Sequence, residues 1–434
     1  MLSLAVVLSP LLTAAGSNLA ERIVLTPQLG AQSEDESIRQ WQARAARTEA
    51  SAADFERLGW AFIAKARRTL DTGYYVLAEQ TADVLDARHG VTADARLLRG
   101  HVLHNLHQFQ AAEEVARELS QARGLSPDFA LLSDVLMEQG KLEPAIAALQ
   151  QMVDLKPGPE AYSRVAHLRW LKGDLKGAIE AMELAARASS PRDHVNHAWV
   201  LTRLSGYYLQ QGDLPRALRL AESANHGVSD YAPGLFAAGR ALLALEQPAA
   251  AVTALRQAAV LNPLPEYQWW LADALRTTGE RSDAAAVVAA LERHGQAADG
   301  RTLALFWATR RTEPARSVQL ARDELAHRAD VFTHDALAWA LATSGDLPAA
   351  HAAMRRALAE GTRDARLFWH AGEIALGLGQ TAEAAAFFEQ AEPFAATLTP
   401  GERARLNASV RSIPAAVANA PVLFSAMKPP HHEN

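Results

Sequence analysis

Three histidines, His101, His104 and His107 in "HVLHNLH", come nearest in this 434-residue chain to the spacing of a metal site. On a helix the first two share a face, but His107 stands about 240° round from His101, so the three cannot hold one ion. His101 and His104 with Asp134 remain a candidate set for a metal or small molecule. Other reactive patterns are missing: there is no HExxH, no phosphate loop ending in Gly-Lys-Ser/Thr, no Gly-x-Ser-x-Gly and no Rossmann glycine pattern. Glu113 and Glu114 adjoin on one helix and cannot face each other as acid and base. With no cysteine, thiolate ligands, disulfides and cysteine nucleophiles are excluded. The expectation is a protein without catalytic residues, metal or cofactor.

The elements that would carry these residues repeat. "GDLKGAIEAMELA" (173–185), "GDLPRALRLAESA" (212–224) and "GDLPAAHAAMRRA" (345–357) are near-copies of one turn and helix start. Equivalent turns fall at Gly73, His107, Gly140, Gly173, Gly212, Glu246, Gly279, Thr312, Gly345 and Gly379, spaced 33 or 34 residues apart except for one gap of 39. Five residues after each stands Ala78, Ala112, Ala145, Ala178, Ala217, Ala251, Ala284, Ser317, Ala350 or Ala384. Seven before each stands Ala66, Gly100, Ser133, Ala166, Ser205, Gly239, Ala272, Leu305, Ala338 or Gly372, small in all but one. Two helices crossing beside their turn require small residues at those places. Leu, Ile and Ala recur at helical spacing between turns, as in "AIAALQQMV" (145–153), and strand alternation is missing.

This pattern resembles the tetratricopeptide repeat from about Phe55 to Ala391. The phrases "LPEYQWWLADALRTTGE" (264–280) and "LGWAFIAKARRTLDTGYYVLAEQ" (58–80) resemble a group of largely uncharacterised, often exported bacterial repeat proteins. The resemblance implies an all-α fold: a right-handed α-solenoid of about ten helix-turn-helix units, each burying its apolar face against the next. The expected division is repeats 1–4 over 55–187 and repeats 5–10 over 188–391, with an insertion near "ASSPRDHVNH" (188–197) that lengthens a helix end or loop. Helical caps are expected at 31–54, where Ile38, Trp41 and Ala45 share a face, and at 392–413; residues 414–434 read as a flexible tail.

In such a stack the first helix of every unit lines the concave wall. Counting back from the turns places there Trp60, Arg67, His101, Asp134, His167, Trp170, Trp199, Phe236, Arg240, Trp269, Asp273, Arg276, Phe306, Trp339, Trp369 and Glu373. Six of the nine tryptophans fall on this wall, far above the share four positions per unit would draw by chance. Rigid rings and guanidinium groups suit capture of a peptide or helix; packing between neighbouring first helices is the competing explanation for any single ring. The Lys/Asn clamp that holds chaperone C-termini in related domains is missing from the wall. The expected function is therefore a scaffold binding a partner's segment in an aromatic groove, with envelope assembly as its expected setting and a metal or small-molecule binder and a self-associating array as alternatives.

Lys and Arg total 43 against 49 Asp and Glu, a net charge of −6, without the basic excess of a nucleic-acid binder. Residues 1–30 open on an apolar run, Leu4–Leu12, closed by Ala14, Ala15, Gly16 and Ser17, but lack the positive start of a signal peptide. The run is too short to span a membrane. Export is expected, with a cytoplasmic chain as the alternative.

Overall fold

The computed structural model describes residues 19–69 and 71–413. Residues 1–18, which hold the apolar run, and 414–434, the expected tail, lie outside the described residues. Among the described residues all regular structure is helical. No described helix is long and apolar enough to cross a membrane.

The chain folds as two compact units. Unit 1 holds residues up to Leu168 together with 326–330. Unit 2 holds 169–325 and 331 onward, so the division falls at Leu168/Arg169 rather than at the insertion near 188. In unit 1, α1 (Ser33–Ala45) precedes three hairpins: α2 (Ala52–Thr69) with α3 (Gly73–His89), α4 (Ala93–Asn105) with α5 (Phe109–Ala122), and α6 (Ser126–Glu138) with α7 (Leu142–Leu155). Next come α8 (Pro159–Leu171) with α9 (Leu175–Ala188), α10 (His194–Gln211) with α11 (Leu214–Gly227), and α12 (Ala232–Ala244) with α13 (Pro248–Leu261). The remainder is α14 (Pro265–Thr277), α15 (Arg281–Arg310), α16 (Pro314–His327), α17 (Val331–Ser344), α18 (Leu347–Ala357), α19 (Ala365–Gly377), α20 (Thr381–Ala391), a 3₁₀ turn at Glu392–Thr397 and α21 (Pro400–Ser412). α15 is two helices joined at Asp299, whose carboxylate caps Thr302, so it serves two successive hairpins.

The repeated "GDL" has a local cause. Gly173, Gly212 and Gly345 take φ of 79°, 89° and 97°, the left-handed step that ends a helix. The next residue, Asp174, Asp213 or Asp346, then accepts the backbone N–H three residues on at 2.8, 3.1 and 3.1 Å and starts the second helix. The small residues after the turns, Ala78 through Ala384, are all buried, as are those before them. At Gly372 an added Cβ would lie 2.3 Å from the Phe388 ring, which is why glycine stands there. Ser133 and Ser205 donate across the crossing to the carbonyls of Ala145 and Ala217.

Two turns depart from the expected register. Gly73 opens α3 instead of forming a left-handed step. At Thr312 the left-handed residue is Arg311, and Glu313 adds a second one at φ 50°. The loop is one residue longer, so Ala304, not Leu305, meets Ser317, whose hydroxyl donates to the Ala304 carbonyl at 2.8 Å. The 39-residue gap lengthens α10 to 18 residues, where α8 and α12 have 13.

Candidate partner-binding groove

In unit 1 the first helices present a half-open polar and aromatic face. Trp60 on α2 and His101 on α4 meet edge to face at 5.0 Å. Asp134 on α6 is gripped by both ends of the Arg164 guanidinium on α8, at 2.8 and 2.7 Å. Arg67 is exposed and, among the described residues, lies within ion-pair distance of no carboxylate; its side chain bonds the Tyr75 hydroxyl instead. His104 and His167 are half-buried, and His104 lies within electrostatic reach of Asp134 and Arg67. Burial, followed by the Arg67 charge, pushes the His101 imidazole down to about 3, so it is neutral at ordinary pH. Burial works against ionisation of Asp134, but Arg164 outweighs it and holds the carboxyl below its usual value. At the edge of this face a cleft of about 470 Å³ runs between α1 and α2, lined by Trp41, Glu56, Arg57 and Trp60. Trp41 lies under two guanidinium groups, of Arg44 at 5.0 Å and Arg57 at 5.1 Å. Burial, then the nearby Asp94, raises the Glu56 carboxyl.

The metal alternative does not survive this geometry. Among the described residues no three His, Asp or Glu side chains converge as an ion requires. Asp134 spends both oxygens on Arg164, and His107 forms the left-handed turn after α4, stacked on Phe109.

Unit 2 departs from the expected open wall. Phe236, Trp269, Phe306, Trp339 and Trp369 are all buried, most of them in one apolar cluster. Two segments pack onto the first helices of this unit. The loop after α18 folds onto the end of α8: Lys172 pairs with Glu360 at 2.7 Å, the Thr362 hydroxyl donates to the Leu171 carbonyl, and Gln210 donates to the Arg363 carbonyl. Trp170 is stacked on Phe332 of α17 at 5.4 Å and donates to Gln210, leaving only part of its ring accessible. The second segment is the chain's own C-terminal stretch. Instead of only capping the last hairpin, the 3₁₀ turn and α21 run along the first helices α10, α12, α14 and α19. Glu402 accepts from Arg366 at 2.7 and 3.1 Å, and Ser409 donates to Glu373. Asp273, expected in an open groove, is 7% exposed, paired with Arg276 at 2.7 Å, and faces Gly401 at the start of α21.

Of the sixteen expected wall residues, Trp60, Arg67, His101 and Asp134 stand together on the open face of unit 1, and His167 is half-buried on α8. In unit 2, Trp199 is 45% exposed on α10, just after its extra first turn, and Arg240 lies over Phe236 and Trp270 with no hydrogen-bond partner for its Nε among the described residues. Sequence reasoning missed Arg164 and Glu56. Arg164 lies nine residues before Gly173, one helical turn from His167, and the Asp134 carboxylate in the preceding unit was the available signal.

The sequence matches the tetratricopeptide repeat family over residues 131–193, 236–300 and 336–400. Three solved structures are similar in fold. The human IFIT1 dimer with m7Gppp-AAAA is 12% identical, with a TM-score of 0.48 over 86% of this chain and 98% of its own. YrrB, described as a TPR protein with an unusual peptide-binding site, is 12% identical, with a TM-score of 0.31 over 45% and 95%. MamA is 18% identical, with a TM-score of 0.31 over 38% and 94%. No curated protein sequence matches the chain. The family match and the ten hairpins with buried small residues at their crossings make this chain a tetratricopeptide-repeat protein, an all-α solenoid of the kind that serves as a protein-interaction scaffold.

Proposed function

We propose that the chain is a non-catalytic scaffold that holds a peptide or helical segment of a partner protein on the open concave face of unit 1. The observation that carries this reading is Arg67: an exposed guanidinium that forms no ion pair among the described residues, seven positions after Trp60 on α2, while Asp134, whose charge reaches it, is held by Arg164. A segment offering a carboxylate to Arg67 and an apolar side chain to Trp60 fits that pair, since a charge-assisted bond and a rigid ring are the usual anchors of such sites. A protein rather than an RNA is favoured by the net charge of −6 and by Asp134 and Glu56 on the same face. Export, and a role in envelope assembly, rest on the apolar run Leu4–Leu12 and its small-residue end.

The test is capture of partners from native cells by the wild type and by a Trp60→Ala, Arg67→Ala double variant, with nuclease-treated samples alongside. Both side chains are partly solvent-facing, so the variant keeps its fold, which circular dichroism checks. Loss of a protein partner from the variant supports the reading. Equal capture by both chains, or capture that nuclease abolishes, contradicts it.

A further inference from the structure

Residues 398–409 occupy the concave face of unit 2 as a ligand would. Three polar anchors hold them: Glu402 on Arg366, Ser409 on Glu373, and Thr399 with the start of α21 on Asp273. Two apolar anchors, Leu398 and Leu406, enter the cluster that contains Trp269 and Trp369. Thr399 and Glu402 also form a capping box, so the anchoring residues are those that start the helix.

The hold is lopsided. In α21 only Glu402 and Leu406 are buried, whereas α14 buries ten residues and α19 nine. A helix that buries so little apolar surface opens at lower free energy than the walls around it. Its charge is also mismatched to the site. Exposed Arg405 stands within electrostatic reach of Arg310, as does Arg276, whose one ion-pair partner among the described residues is Asp273. Burial lowers the basicity of Arg310, and Arg276 and Arg405 lower it further. An acidic side chain in place of Arg405 would meet guanidinium groups rather than add one.

We propose that α21 is a tethered occupant of a helix-docking site, and that the site's exchange ligand is a partner helix repeating Leu-Thr-Pro-x-Glu with an acidic residue where α21 has Arg405. The inference stands apart from the reading of unit 1, since none of its anchors lies on that face.

The test uses the full chain and a labelled synthetic peptide of residues 396–413 carrying Arg405→Glu, with hydrogen exchange reporting on α21 and fluorescence anisotropy on binding. In the wild type, α21 exchanges faster than α14 and α19. Glu402→Gln speeds exchange in α21 alone and admits the peptide, while a peptide that keeps Arg405 binds roughly two- to fivefold more weakly. Arg405→Glu in the chain slows exchange in α21 and excludes the peptide; because Arg405 is exposed, this variant stays informative even where Glu402→Gln unfolds. Exchange in α21 that coincides with that of α14 and α19, or an Arg405→Glu chain no better protected than the wild type, overturns the proposal.

Discussion

Trp339 of α17 and His370 of α19 stack face to face with ring centroids 4.1 Å apart and planes 9° from parallel. The Trp339 Nε1 donates to Thr309 at 3.0 Å, and His370 pairs through Nδ1 with Asp335 at 2.8 Å. A ring held on its face and its edge is part of the core of unit 2, not a surface waiting for a partner. Trp339→Ala is therefore expected to cost about 3–5 kcal/mol of stability, the range for emptying a large aromatic site. Denaturant unfolding measures it; a loss below about 1 kcal/mol would place the ring at the surface.

Glycines at different places on two of the first helices should respond in opposite directions. Gly372→Ala forces a Cβ to 2.3 Å from Phe388 and should destabilise the protein by about 1–3 kcal/mol. Gly206, inside α10, has open space around its missing Cβ, so Gly206→Ala should stabilise by about 0.5–1 kcal/mol. Thermal unfolding of the two variants side by side checks the sign of each, and a shared sign would refute the packing argument.

Acid should weaken the fold through His101 before carboxylates protonate. The folded chain holds this imidazole at about 3 against 6.5 for the unfolded group, because burial and then Arg67 disfavour its charge. Below pH 6.5 the unfolded chain takes up a proton that the folded chain refuses, so stability is lost as pH falls from 6.5 towards 3. His104 shifts in the same direction. Melting temperature should fall from about pH 7 to about pH 5, and His101→Gln should make that fall shallower. Parallel pH profiles for the two chains would remove His101 as the cause.

Zinc should leave the protein unchanged. With both Asp134 oxygens held by Arg164, His101 and His104 have no third ligand among the described residues. Calorimetry is expected to show no heat and no rise in melting temperature; a saturable heat lost in His104→Ala would reverse that conclusion.

The repeat architecture was legible in the sequence because its constraints are local and recur. A left-handed step, an aspartate cap and two small residues at a crossing are each set within about a dozen residues, and Gly212, Asp213, Ser205 and Ala217 show all four. The Thr312 turn misled because one extra residue between Ala304 and Ser317 keeps the small pair but shifts the count. The wall was half legible for a different reason. Helical periodicity tells which residues face inward, and Trp60, Trp269 and Trp339 all do. Whether an inward face is open depends on contacts such as Thr362 with Leu171 and Glu402 with Arg366, which join distant positions and leave no periodic trace.

Site-specific photo-crosslinking tests the central claim most directly. A photoreactive residue at Ala64, exposed in the cleft beside Trp60, leaves every proposed anchor in place; one at Ile146, on the second helix of its hairpin, samples a different face. Adducts to a protein partner from position 64, absent from position 146 and lost when Arg67→Ala is added, are the result this account predicts. Adducts from position 146 alone, or from 64 regardless of Arg67, would contradict it.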